Sequence, residues 1–216
     1  MSAENAAENA TLAERAVRRR VAGVETTSQA DVAALMEAGL TLMVEHEGRR
    51  APRVADIVAA AGMSNDSFYR YFAGKDALVA AIVEQGARNF AGYVRHRVEA
   101  ERLPERRIRA GVRAVLRQAT DTAFAARTRT VLANGANLAP ENTHVSVTLV
   151  DALTDLFTGP AAELGAADPA HAARTVAGAA LAAMQYHLFK GDVPDERELE
   201  ALVAFLLAGV AGPAGR

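Results

Sequence analysis

Apolar residues recur along this chain at intervals of three and four, and strand-like alternation is nearly absent. Spacing of three and four puts side chains on one stripe of an α-helix, whereas alternation marks a strand. The clearest stretch is 54–78. Val54, Ile57, Val58 and Ala61 share one helical face, which predicts a helix over Val54–Ala61. Gly62 ends it, because glycine accepts the left-handed conformation that a helix C-terminus often requires. Met63 fills the corner, and Ser64 can cap the next helix by accepting a free backbone N–H. That helix, Asn65–Tyr71, puts Phe68 and Phe72 on one side and leaves Asn65, Asp66, Ser67, Tyr69 and Arg70 largely outward. Another helix follows at Lys75. Two short helices joined by a tight glycine turn, the second with hydrogen-bonding residues at its start, are the design of a helix-turn-helix.

The same spacing predicts helices on either side. Upstream, Ser28 with Asp31 resembles a capping box with a shorter acid. It opens a helix over 28–48 that buries Val32, Leu35, Met36, Leu40, Leu42 and Met43. Residues 1–27 are expected to be a flexible basic tail, helical at most around 12–21. Downstream, a long helix runs from Lys75 to about Arg102 with Leu78, Ile82, Phe90 and Val94 inward. Pro104 opens the next, to about Thr120, and another spans about 122–133. Pro140 starts a further helix that Gly159-Pro160 must kink or end. Asp168-Pro169 opens one that Gly191 stops near Lys190, and Pro194-Asp195 opens the last, to about Val210. The final two helices are apolar nearly all round, so each should be buried on several sides. In a chain of 216 residues that suggests a partner subunit, with Leu181, Leu202, Phe205 and Leu206 supplying the contact.

Composition narrows the class. Half of the residues are apolar and 5% aromatic, which with abundant Ala and Leu favours an all-α protein. There is no cysteine, hence no disulfide framework and no thiolate metal site. No apolar run approaches the ~20 residues of a membrane span. Residues 1–10 are acidic and rich in Ala and Asn, unlike a secretory signal, so a soluble cytoplasmic protein is expected. The formal net charge of −2 neither supports nor excludes DNA binding. The distribution matters more. Arg15, Arg18, Arg19 and Arg20 cluster in the tail, Arg49, Arg50 and Arg53 precede the second helix, and Arg70 and Lys75 flank the end of the third. The tail arginines have two readings, a minor-groove arm or a solvated charged segment.

Ala61-Gly62-Met63-Ser64, Phe68-Tyr69-Arg70-Tyr71-Phe72 and Gly74-Lys75-Asp76-Ala77-Leu78 together resemble the motif of the TetR (tetracycline-repressor-like) family of transcriptional regulators. The resemblance covers roughly residues 28–84. Pro52-Arg53 stands where the family usually has a threonine capping the second helix, and the first helix is one residue longer before Gly48. The family implies an N-terminal three-helix DNA-binding domain (28–74) and a C-terminal helical ligand-binding and dimerisation bundle (75–216). It implies a homodimeric repressor of a palindromic operator, released by a small-molecule effector. It also implies that the recognition helix enters the major groove, with Tyr69, Tyr71 and Lys75 on the DNA backbone.

The expected DNA contacts are Arg53, Ser64, Asn65, Asp66, Ser67, Tyr69, Arg70, Tyr71 and Lys75. Asn65 can read adenine, and Arg70 can read guanine or hold phosphate. Asp66 can accept from cytosine N4, or simply answer the helix macrodipole. For the effector, Tyr93, Phe124, His144, Met184, Tyr186, His187 and Phe189 are the candidate lining. Few are charged, which points to an apolar or aromatic ligand, and ordinary core packing is the competing reading for each. No cofactor or resident metal is expected, and no nucleophile or phosphate-loop motif is present. Three rival readings remain. One is a regulator that needs its ligand to bind or activate. Another is a helical-bundle metal protein using Glu141 and His144, with Asp168 and His171 as the other spaced pair. The third is a helical scaffold that has lost DNA binding, suggested by Asp66 and the missing cap.

Overall fold

The computed structural model describes residues 12–46, 52–135 and 144–211, and these residues form helices and connecting turns with no strand. In chain order the helices are α1 (Leu12–Glu45), α2 (Val54–Ala61), α3 (Asn65–Tyr71), α4 (Lys75–Glu99), α5 (Pro104–Thr120), α6 (Thr122–Gly135), α7 (His144–Glu163), α8 (Pro169–Lys190) and α9 (Glu196–Ala211). The all-α expectation holds, as does the order of a helix-turn-helix head followed by a helical body.

Two hydrophobic cores organise the chain. The head core joins Leu35 and Met43 of α1, Ile57 and Val58 of α2, Phe68 of α3 with Phe72 just beyond it, and Leu78, Val79, Ile82 and Val83 of α4. The body core draws on α4 through α9, centred on Val94, Val98, Ile108, Val112, Leu153, Phe157, Val176, Ala177 and Val203. α4 therefore belongs to both, its first half to the head and its second to the body. Val131 of α6 also packs against the head core, and Arg127 Nη2 reaches Glu37 Oε1 of α1 at 2.6 Å. Both partners of that ion pair are more than half exposed, so it adds about 1 kcal/mol at most.

Local stop and start signals explain most boundaries. Asp168 caps α8 by accepting from the His171 N–H at 2.9 Å, and Gly191 ends it at φ 77°. Asp195 accepts from the Glu198 N–H at 2.7 Å and so opens α9. α9 is then pinned to α5 by Arg113, which reaches Glu196 at 2.5 Å and Glu200 at 2.8 Å, and by an Arg109–Glu200 pair. The hydrogen bond from Arg109 holds the Glu200 carboxyl below the usual carboxylate range.

Two expectations are corrected and one is narrowed. The first helix does not begin at Ser28: α1 runs unbroken from Leu12, so residues 12–27 are not a separate flexible tail. Leu, Ala, Glu and Arg fill its early turns, all strong helix formers, and Ser28 sits mid-helix rather than at a cap. Of the two outcomes expected at Gly159-Pro160, a kink or an end, the end does not occur: α7 continues to Glu163. Pro160 and Ala161 are buried, and the turn beyond them is closed by Ala166 N–H on the Ala161 carbonyl with Gly165 at φ 81°. Packing and that closure outweigh one missing backbone bond. Leu181 and Leu206, expected at a subunit interface, lie in the body core of their own chain, with Leu202 partly buried beside them. α8 is covered by α5, α7 and α9 within one chain, and on α9 the residues 199, 203, 206 and 210 share the inward stripe. Phe205 stays outside at 76% exposure.

Candidate nucleic-acid interface

The head builds its candidate reading surface from short-range rules. Gly62 adopts φ 67°, ψ 30°, and its N–H bonds to the Ala59 carbonyl while Met63 N–H bonds to Val58 at 2.8 Å. This closure turns the chain sharply out of α2. A Cβ on Gly62 would touch nothing within 4 Å, so glycine is required there by backbone conformation alone. Ser64 then caps α3 as expected: its Oγ accepts from the Ser67 N–H at 3.1 Å and lies 3.0 Å from the Ser67 Oγ.

Phe68 is fully buried, and its ring lies 5.4 Å from Tyr69, edge to face, and 5.7 Å from Phe72. These contacts fasten one side of α3 to the head core. The opposite side presents Asn65, Asp66, Tyr69 and Arg70 to solvent, with Lys75 exposed at the start of α4 and Arg53 exposed before α2. Tyr69 is 59% exposed. Tyr71 is turned differently. It is half-buried, and its hydroxyl donates to Asp31 Oδ2 of α1 at 2.8 Å. Spacing carried a signal for the inward placement of both side chains, though not for their pairing: Tyr71 lies three residues after buried Phe68, and Asp31 four before buried Leu35. Reading Asp31 as a cap obscured it.

Arg53 occupies the N-cap of α2 and makes no side-chain cap, as the departure from the usual threonine implied. Arg53→Thr is expected to raise thermal stability by about 0.5–2 kcal/mol by capping an orphan N–H. Removing an exposed cation at the same position should weaken DNA binding. Melting and binding measured on one preparation check both directions.

The candidate effector residues are not gathered into one place. Met184 and His187 face inward on α8, whereas Tyr186 and Phe189 are exposed on its outer side, as 100° per residue requires. His187 Nδ1 lies 2.7 Å from Asp192 Oδ1 and its Nε2 lies 3.5 Å from Glu198 Oε1, so its polar atoms are engaged at the α8–α9 corner. Tyr93 packs partly against the body core and receives a hydrogen bond from Arg117 Nη1 at 3.1 Å. Phe124 is exposed. Glu141, Arg49 and Arg50 lie outside the described residues, as do the side chains of His144 and of Arg15, Arg18, Arg19 and Arg20. Among the described residues there is no group of three or more potential metal ligands, and no helix is long and apolar enough to cross a membrane.

Comparison with known proteins agrees with this geometry. Residues 35–82 match the family profile described as bacterial regulatory proteins, tetR family. No curated protein sequence matches the chain. Among solved structures, a transcriptional regulator from Rhodococcus sp. Rha1 superposes with a TM-score of 0.68 at 15% identity, covering 83% of this chain and 95% of that one. AibR, solved with isovaleryl coenzyme A and operator DNA, gives 0.59 at 21% identity, covering 82% and 98%. PfiT, described as a superantigen, gives 0.61 at 19% identity, covering 82% and 94%. At such identities the structural likeness speaks for the fold alone, while the profile match falls on the helix-turn-helix itself. With α2, the Gly62 turn and α3 inside the matched segment, residues 35–82 match the tetR family of bacterial regulatory proteins, and the helical body behind them shares the fold of the solved structures.

Proposed function

We propose that the protein is a transcriptional repressor that binds a palindromic operator as a homodimer and is released by a small, apolar or aromatic effector held in the body. The observation that carries the DNA-binding part is the exposed polar face of α3, with Asn65, Asp66, Tyr69 and Arg70 outward and Phe68 locked into the core beneath them. The same fold supports a superantigen, so the fold alone would not favour DNA binding; the motif and its exposed face do. In this reading α3 enters the major groove. Asn65, Asp66 and Arg70 face base edges, and Arg53, Ser64, Ser67, Tyr69 and Lys75 lie toward phosphates. Tyr71, whose proton goes to Asp31, is left out of the contact set.

A homodimer is supported by the faces that α8 and α9 leave exposed. Gly178, Ala182, Tyr186 and Phe189 line one stripe of α8, and Ala201, Ala204, Phe205 and Ala208 lie outward on α9. Small residues allow close helix approach, and the three aromatics supply area. Of the residues expected at this interface, Phe205 is retained. Two heads in such a dimer would read half-sites about 34–36 Å apart. Effector release requires a ligand with different affinity for the DNA-bound and free arrangements. α4 is the natural link because it belongs to both cores. Tyr93 and Met184 are the effector candidates that pack with the body core.

The test is Arg70→Ala combined with Lys75→Ala, assayed on a duplex enriched from a random pool by the unaltered protein. Affinity is expected to fall about 10- to 100-fold, and the log–log salt slope to shrink by roughly one to two. Unchanged affinity would transfer the reading to a scaffold that does not use α3 on DNA. The metal-protein reading loses support at its second acid, since Asp168 is engaged as the α8 cap.

A further inference from the structure

The two tyrosines of the Phe68-Tyr69-Arg70-Tyr71-Phe72 motif differ in what their hydroxyls can do. A tyrosine hydroxyl has one proton to donate, and a phosphate oxygen can only accept. Tyr69 has an exposed ring, braced edge-on by Phe68, and among the described residues its hydroxyl makes no protein hydrogen bond. Tyr71 has already given its proton to Asp31 Oδ2 at 2.8 Å. Donating to phosphate would break that bond and bring a phosphate beside a carboxylate of the same sign.

α3 has seven residues, fewer than two turns. Phe68 and Phe72 attach it to the core through apolar contact, which has no preferred direction. Its start is fixed by the Gly62 turn and the Ser64 cap. Its far end is fixed by Tyr71, and among the described residues this is the hydrogen bond that joins an α3 side chain to another helix. The partner sits 40 residues earlier, on α1. A directional bond at one end of so short a helix sets its rotation about its own axis. That rotation decides where Asn65, Asp66 and Arg70 point.

We propose that Asp31 is a positioning residue for DNA recognition: through Tyr71 it fixes the rotational setting of α3, and Tyr71 is a strut where Tyr69 is the phosphate donor. This rests on the reading of α3 as the DNA-reading helix.

The test uses the full-length protein, the duplex it enriches from a random pool, and a scrambled duplex. Asp31→Ala and Tyr71→Phe are each expected to weaken binding to the enriched duplex about three- to tenfold. Tyr71→Phe should leave the salt slope and the scrambled-duplex affinity unchanged. The double variant should be no worse than either single one, because both remove the same bond. Asp31→Asn, which keeps an acceptor for the hydroxyl, should recover most of what Asp31→Ala loses. Tyr69→Phe should weaken both duplexes alike. Amide hydrogen exchange without DNA should be faster across 65–71 in Asp31→Ala and close to the unaltered rate in Asp31→Asn. Additive losses, or tighter binding by Asp31→Ala as Tyr71 is freed for phosphate, would overturn the assignment. Unchanged exchange in Asp31→Ala would overturn the strut itself. If the unaltered protein enriches no duplex while Asp31→Ala still loosens 65–71, the DNA reading has failed and the positioning role goes with it, leaving an interhelix tie.

Discussion

Phe68→Ala is expected to destabilise the head by roughly 3–5 kcal/mol and to abolish specific DNA binding. Phe68 is completely buried and joins α3 to residues of α1, α2 and α4. Truncating it removes the ring's transfer energy and leaves a cavity that the short helix cannot collapse around. A seven-residue helix has no independent stability in water, so without this anchor α3 should fray even if the rest of the chain stays folded. The body has its own core, to which Phe68 does not belong. Thermal unfolding followed by hydrogen exchange should therefore show the head opening first while exchange in α5, α7 and α8 stays slow. A melting curve indistinguishable from that of the unaltered protein would mean that α3 is held by something other than its phenylalanine.

Gly111→Ala is expected to destabilise the body by about 1–3 kcal/mol, although alanine is the better helix former. A Cβ at Gly111 would fall 2.3 Å from Phe157 Cε1, 2.6 Å from its Cζ and 2.9 Å from Val98 Cγ2. Phe157 is fully buried and Val98 nearly so, and the ring is rigid. The helix-propensity gain of up to ~1 kcal/mol is thus outweighed by overpacking where α5, α4 and α7 meet. Gly111→Ala combined with Phe157→Leu should recover part of the loss by exchanging a rigid ring for a smaller side chain. Denaturant titration of the three proteins reads both effects. A more stable single variant would show that these helices separate at little cost.

The head was largely legible because its signals are local. Gly62, Ser64 and the four-residue spacing of Phe68 and Phe72 each dictate geometry within one or two turns, and all three act as their chemistry implies. The start of α1 was not legible. Ser28 is a fair cap candidate, but a cap residue inside a run of strong helix formers does not stop a helix. The interface residues failed for a different reason. Periodicity shows that Leu181 and Leu206 are covered, and it cannot say whether the cover comes from the same chain. The effector lining was not legible as one place, since Met184 and Tyr186 are two residues apart on α8 and point to different sides. Asp31 is the instructive case. Its partner lies forty residues away, and no local rule connects a carboxylate on one helix with a hydroxyl on another until both helices are packed.

The central claim, DNA recognition by α3 of a dimer, is tested most directly by letting the full-length protein select from a random duplex pool and sequencing what it retains across a salt series. The predicted result is an inverted repeat with half-sites about one helical turn apart, bound more weakly as salt rises, and no longer enriched when Asn65 and Arg70 are replaced by alanine. Retention of no sequence above background by the unaltered protein, or an unchanged enriched motif after those replacements, would contradict it.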